Sequence, residues 1–144
     1  MDAPSFERFR SLFRGELVLP SDEGYEAARP VWNAAIDNHP ALIARCSGVV
    51  DVARAVEFAR EHELLVAVRG GAHNVAGFGT CDGGIVIDLS RMRGIRLDLV
   101  RRTVRARRGL RGETSTTRHR HTSRRSRARR VRDQRGMEAM TGTW

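Results

Sequence analysis

The stretch Val66-Ala67-Val68-Arg69-Gly70-Gly71-Ala72-His73-Asn74-Val75-Ala76-Gly77 decides how the rest of the chain is read. A short apolar run, Leu64–Arg69, leads into it and reads as a strand. Gly70, Gly71, Gly77 and Gly79 then fall within the eleven residues from Arg69 to Gly79. Glycine admits left-handed backbone and lets another group come close. Consecutive exposed amides in such a loop can cradle phosphate oxygens, and Arg69 can add charge-assisted hydrogen bonds to a diphosphate. The same residues also suit a plain tight turn, and the local sequence does not choose between the two. The pattern is neither the Lys-bearing nucleotide loop nor the three-glycine dinucleotide fingerprint that opens a helix. His73 lies among small residues, where it makes a poor core filler. A ligand contact and an incidental surface residue both fit it.

Working outward, Ala41–Cys46 reads as a first strand and Ser47-Gly48 as a turn. Val50–His62 reads as a helix, with Val52, Val56 and Ala59 on its apolar face and Val49 just before it. Leu64–Arg69 is the second strand, as apolar as a buried parallel strand should be. Gly84–Leu89 is the third, entered by the turn Asp82-Gly83. Asp88 and Ser90 lie at its carboxyl end, where parallel sheets gather ligands; a turn-capping role suits them too. Ile95–Leu99 and Thr103–Ala106 read as two further strands. Upstream, Ser5 caps a helix over Phe6–Phe13, and short helical turns are expected at Tyr25–Ala28 and Val31–Ile36, with Trp32 as a packing anchor. Strand, helix, strand and Gly-rich loop in that order give α/β-type organisation. The expected division is a helical lead-in over 1–36, a principal domain over 37–106 and a tail over 107–144.

The 144 residues leave room for one modest domain. All 26 basic residues are Arg, and the charge is uneven: residues 101–144 hold 15 Arg and 3 acids, net +12, against −3 for the first hundred. Only Val104, Leu110, Val131, Met137, Met140 and Trp144 are sizeable apolar residues in that segment, too few to offset its ordering entropy. The tail is therefore expected to be disordered or weakly helical. It would attract nucleic-acid phosphates without specificity. Aromatic interleaving, helix-turn-helix and zinc patterns are missing, so no specific nucleic-acid partner is expected. Cys46 and Cys81 lack metal-ligand spacing and fit a reducing cytoplasm. No apolar run reaches the roughly 20 residues that span a bilayer, and the start is unlike a signal peptide.

Several ordered segments together resemble a known family. They are Val31-Trp32-Asn33, Pro40 to Cys46, Asp51-Val52 through Phe58-Ala59-Arg60, Val66 to Gly77, and Ile87-Asp88-Leu89-Ser90 with Met92 and Ile95. Over about 75 residues they resemble the first half of the FAD-binding domain of the vanillyl-alcohol-oxidase (PCMH) type, near the berberine-bridge-enzyme-like FAD-linked oxidoreductases. The resemblance implies an α+β fold, a small mostly parallel sheet flanked by helices. It implies FAD as cofactor, with Arg69, Gly70, Gly71, Ala72, His73 and Asn74 around the diphosphate. Val75 and Gly77, and the region of Asp88 and Ser90, would lie beside the cofactor. His73 matches the histidine that many members join covalently to the flavin. Ala72 stands where members often carry glycine, which is harmless if its backbone is ordinary. The activity implied is oxidation of an alcohol, sugar or related small organic substrate. Members also use a second FAD-binding segment and a substrate domain that these 144 residues do not supply, so this chain alone is expected to be inactive. No substrate base can be named, and no metal or protein partner is expected.

The family would continue past Thr103 with a Gly-Ala-Thr-Trp-Gly-Asp type segment, whereas this chain has Arg107-Arg108-Gly109-Leu110-Arg111-Gly112-Glu113. Joining the third base of each codon to the first two of the next, from Arg107 on, permits Ala-Gly-Ala-Thr-Trp-Gly-Asp-Val-Asp-His-Ala-Thr-Gln-Ala. The tail therefore reads as a shifted frame.

Overall fold

The structure, a computed structural model, describes residues 2–98 together with strands at 103–106, 129–132 and 138–141. The chain divides into two compact units, Met1–Arg91 and Met92–Trp144.

The first unit begins with helix α1 (Ala3–Leu12). Its cap is Asp2, whose carboxylate accepts the Ser5 amide at 2.7 Å. The expected Ser5 cap is thus replaced by a residue three positions earlier, and Pro4 fits in the first turn because no intrahelical donor is needed there. Strand β1 (Glu16–Val18) and helix α2 (Tyr25–Ala28) follow. Next come β2 (Leu42–Arg45), helix α3 (Val49–Glu61), β3 (Val66–Arg69) and β4 (Ile85–Asp88). The sheet order is β1-β2-β4-β3. β4 runs parallel to both β2 and β3, while β1 pairs antiparallel with β2. The small, mostly parallel sheet expected from the sequence is present. β1 extends it, drawn from the lead-in that was expected to be helical.

Alternation assigns the two faces of the sheet. Ile43, Ala67 and Val86 cluster with Val18, Tyr25, Ala28 and Cys81 on the α2 side. The intervening Leu42, Ala44, Ile85 and Ile87 are fully buried on the opposite face, where α3 packs against β4. α3 turns Asp51, Ala55, Phe58 and Ala59 inward. This corrects the expected face: Val49 and Val56 are exposed, and of the expected stripe only Ala59 is buried. The reason lies outside the helix. Phe58 stacks on Phe9 of α1 with ring centroids 4.4 Å apart, and an aromatic pair rotates the helix toward its partner.

Asp51 supplies the second constraint. Its carboxylate accepts the amides of Arg14 (3.0 Å), Ser47 (2.9 Å) and Gly48 (3.3 Å), and the Ser47 hydroxyl (2.6 Å). Burial pushes its pKa up, but these four donors outweigh that and hold it below the ordinary value.

β3 is an edge strand. Ala67 and Arg69 are buried, whereas Val66 and Val68 are half-exposed. The expectation of a strand covered on both faces therefore fails at the edge of the sheet. Val31–Ile36 contains bends and turns rather than a helical turn. Trp32 is 69% exposed and is no packing anchor.

In the second unit, β5 (Ile95–Asp98) pairs antiparallel with β6 (Thr103–Ala106), and β7 (Arg129–Arg132) with β8 (Glu138–Thr141). The expectations for the rest of 107–144, including its order and its adhesion to phosphates, lie outside the described residues.

Candidate FAD-binding loop

The parallel strands β3 and β4 end side by side, with Arg69 in register with Asp88. The chain leaves β3 directly into Gly70-Gly71. Ala72 then takes φ +58, the left-handed region that favours glycine. So the backbone at the one position departing from the family pattern is not ordinary. The kink is held from outside, because the Ala72 carbonyl accepts the Trp32 amide at 3.0 Å. Asn33 donates from Nδ2 to the Val75 carbonyl at 2.9 Å.

Further along, the Asn74 carbonyl accepts the Gly77 amide at 3.2 Å, and its Oδ1 accepts the Phe78 amide at 3.2 Å. Asn74 is therefore a turn builder through both of its oxygens. Gly77 has φ +81 and lies over Ile36, where an added Cβ would come within 3.0–3.1 Å of that side chain.

The loop so folded presents donors. Among the described residues, none of the amides from Gly71 to Ala76 donates a hydrogen bond. A left-handed residue set between neighbours of negative φ curls successive N–H groups into one concavity, a common anion cradle. His73 is exposed at the same place. Trp32, Val75 and Phe78 are exposed as well. On the returning limb, Thr80 is buried, and its hydroxyl has no partner among the described residues. The free amides suit a ligand rich in acceptor oxygens, as a diphosphate is.

The structure separates the remaining candidates from that cradle. Arg69 is 6% exposed. Its Nε and Nη2 donate to Asp88 Oδ2 at 3.1 and 3.0 Å, Nη2 also to the Ala28 carbonyl, and Nη1 to the carbonyls of Arg29 (3.3 Å) and Pro30 (3.5 Å). A guanidinium has five N–H groups, and this one is fully engaged. Its side chain is thus not placed to hold a diphosphate, contrary to the reading from sequence. Asp88 is likewise buried, accepting Arg69 on one oxygen and the Ser90 amide on the other at 2.8 Å. Ser90 is half-buried beside it. Sequence reasoning missed Trp32 and Asn33 as loop supports; a backbone amide and a single side-chain amide leave no pattern to find.

Comparison with known proteins settles the family. The model described as "FAD binding domain" matches residues 40–118, more than half of the chain. The chain belongs to the FAD binding domain family. FAD is the cofactor of this domain. Across 85 residues it is 42% identical to (R)-6-hydroxynicotine oxidase of Paenarthrobacter nicotinovorans, covering 59% of this chain and 19% of that protein. Among solved structures, 6-hydroxy-D-nicotine oxidase of Arthrobacter nicotinovorans superposes with TM-score 0.65 at 39% identity, over 68% of this chain and 22% of the other. A berberine-bridge-enzyme-like protein of Physcomitrella patens shares the fold, with TM-score 0.62 at 20% identity, over 69% of this chain and 22% of that one. The chain thus spans about a fifth of the length of these relatives.

Proposed function

We propose that residues 37–106 supply the diphosphate cradle of an FAD-linked oxidoreductase that oxidises a small organic substrate, an alcohol, sugar or related compound. The observation carrying this reading is the row of free amides from Gly71 to Ala76, kinked at Ala72 and open beside His73. Gly70, Gly71, Ala72, His73, Asn74, Val75 and Gly77 form the cofactor loop mainly through backbone. His73 is the attachment point where the flavin is held covalently. The likeness to the (R)-6-hydroxynicotine oxidase supports the oxidase class. Bound flavin supplies the redox chemistry, and the protein supplies its placement. Two buried free thiols suit a reducing cytoplasm. Residues 107–144 are a frame-shifted reading of the family sequence; nucleotides read across codons 101–112 decide that point, and an uninterrupted frame in independent reads refutes it.

The test uses the isotope-labelled 144-residue chain. FAD shifts the amide resonances of Gly71–Ala76, whereas riboflavin, which carries the flavin ring without phosphates, leaves them in place. Equal responses to both would refute a diphosphate cradle. No substrate-dependent flavin reduction is expected from these 144 residues alone.

A further inference from the structure

We propose that Arg69 and Asp88 act as a positioning pair that holds the FAD loop in its binding shape from beneath, rather than as contacts to the cofactor. This rests on the loop being the diphosphate cradle, and it assigns two residues behind that cradle a role of their own. Arg69 is the last residue of β3, directly before Gly70. Asp88 is the last residue of β4, and the two are in register. Both side chains are about 95% buried.

The pair has two kinds of contact. Within the sheet, the Arg69 guanidinium closes on Asp88 Oδ2 through Nε and Nη2 at 3.1 and 3.0 Å. Beyond the sheet, the same guanidinium collects the carbonyls of Ala28, Arg29 and Pro30. Those are the last residues of α2 and the ones just past it, whose carbonyls lack helical partners. A cation there also meets the negative end of the helix.

The segment so anchored is the one that supports the loop. Two residues past Pro30, the Trp32 amide binds the Ala72 carbonyl; one further on, Asn33 binds Val75; and Ile36 lies against Gly77. Three successive points of the loop thus rest on residues 32–36, and 28–30 rest on Arg69. Ala72 is left-handed without being glycine, a conformation that persists only where its surroundings over-determine it. Arg69 and Asp88 are the buried charged groups beneath those surroundings, while Arg29, paired with Glu26 and Asp37, spans the same segment nearer the surface.

The sign of one substitution separates positioning from direct contact. If Arg69 held the diphosphate, removing the competing Asp88 charge would strengthen or spare FAD binding. If the pair positions the loop, the same change weakens binding, because Arg69 loses its anchor. The experiment follows loop amides of the full 144-residue chain during FAD titration, for the wild type, Asp88→Asn and Arg69→Lys. Lysine keeps the charge opposite Asp88 but has no planar fork to span the carbonyls.

Both variants are expected to weaken the FAD response by about tenfold or more, the usual scale when a supporting residue behind a binding shell is lost. Arg69→Lys leaves buried carbonyls without donors and is expected to melt below the wild type, so each variant is titrated at a temperature where it is fully folded, which separates loop placement from general stability. Without ligand, the amides of Ala72–Asn74 should shift and exchange faster in both variants. Tighter or unchanged FAD binding in Asp88→Asn would overturn the proposal. A wild type whose loop ignores FAD would instead refute the cradle. The pair would then be judged on the ligand-free chain, where unaltered Ala72–Asn74 amides in both variants would refute it.

Discussion

Replacing Ala72 with glycine should stabilise the protein. The residue has φ +58, where a Cβ crowds the following carbonyl. For an L-residue this costs roughly 1–2 kcal/mol. Glycine removes that cost but loses more backbone freedom on folding, roughly 0.4–1 kcal/mol. The difference favours Ala72→Gly by about 0.5–1 kcal/mol. For a unit the size of Met1–Arg91, this is a rise in Tm of roughly 2–8 °C. The assay is urea unfolding followed by circular dichroism, where the midpoint should rise at constant slope. Glu63 is the internal control. It is the other non-glycine residue of positive φ among the described residues, at +50, just past α3 and separated from the loop by strand β3. Glu63→Gly should raise the midpoint by a similar amount. If Glu63→Gly stabilises and Ala72→Gly does not, the left-handed kink at 72 is refuted, and with it the curled amide row.

Three other outcomes follow from the packing. Gly84→Ala should destabilise by about 1–3 kcal/mol in the same urea assay, because the new Cβ would stand 2.2 Å from the Leu65 carbonyl oxygen. Asp51→Asn should cost about 1–3 kcal/mol at neutral pH, since buried amides lose their ionic acceptor. The Asp51 carboxyl is held below its ordinary value, so its contribution is fully present above the unfolded pKa of about 3.9 and is lost as pH falls through the folded value; Asp51→Asn should flatten that acid limb of a stability–pH profile. Both thiols should resist disulfide-exchange reagents at pH 8 until the chain unfolds, because burial, with the Asp51 and Asp88 charges, pushes Cys46 up to about 12 and burial raises Cys81; rapid labelling of the native chain would contradict the packing around them.

The elements nearest the quoted stretch were legible because each announces itself locally. An apolar run bounded by glycine gave β3 and β4 to within two residues, and α3 to within one. What failed was decided by distant partners. The inward face of α3 is set by Phe9, forty-nine positions away in sequence from Phe58. The strand β1 forms because β2 offers an antiparallel edge, and three residues carry too little pattern to reveal it. In the site, glycine spacing showed where the loop is but not how it is held. Trp32 looked like core and proves to matter through its amide, a group every residue but proline has. Arg69 looked like a ligand because Arg beside a Gly-rich loop can bind phosphate; only burial and its five hydrogen bonds to four partners show that its donors are engaged elsewhere.

These misreadings share one physical cause, and it bears on how the loop tolerates alanine. A left-handed alanine is unfavourable locally, so a chain that carries one must hold it by contacts that local sequence does not encode. Here those contacts run from Asp88 to Arg69, from Arg69 to the carbonyls at 28–30, and from Trp32 back to Ala72 itself. Such a loop is set before any ligand arrives, and a preorganised cradle avoids the ordering cost of forming around its ligand. Glycine at 72 should therefore stabilise the fold without improving the cradle. The free energy that Ala72→Gly gains appears in unfolding, not in FAD affinity, because bound and free loops share the same kink. An increase in both together would mean that the alanine loop leaves its cradle shape when empty, and that the Arg69–Asp88 anchor does not reach as far as residue 72.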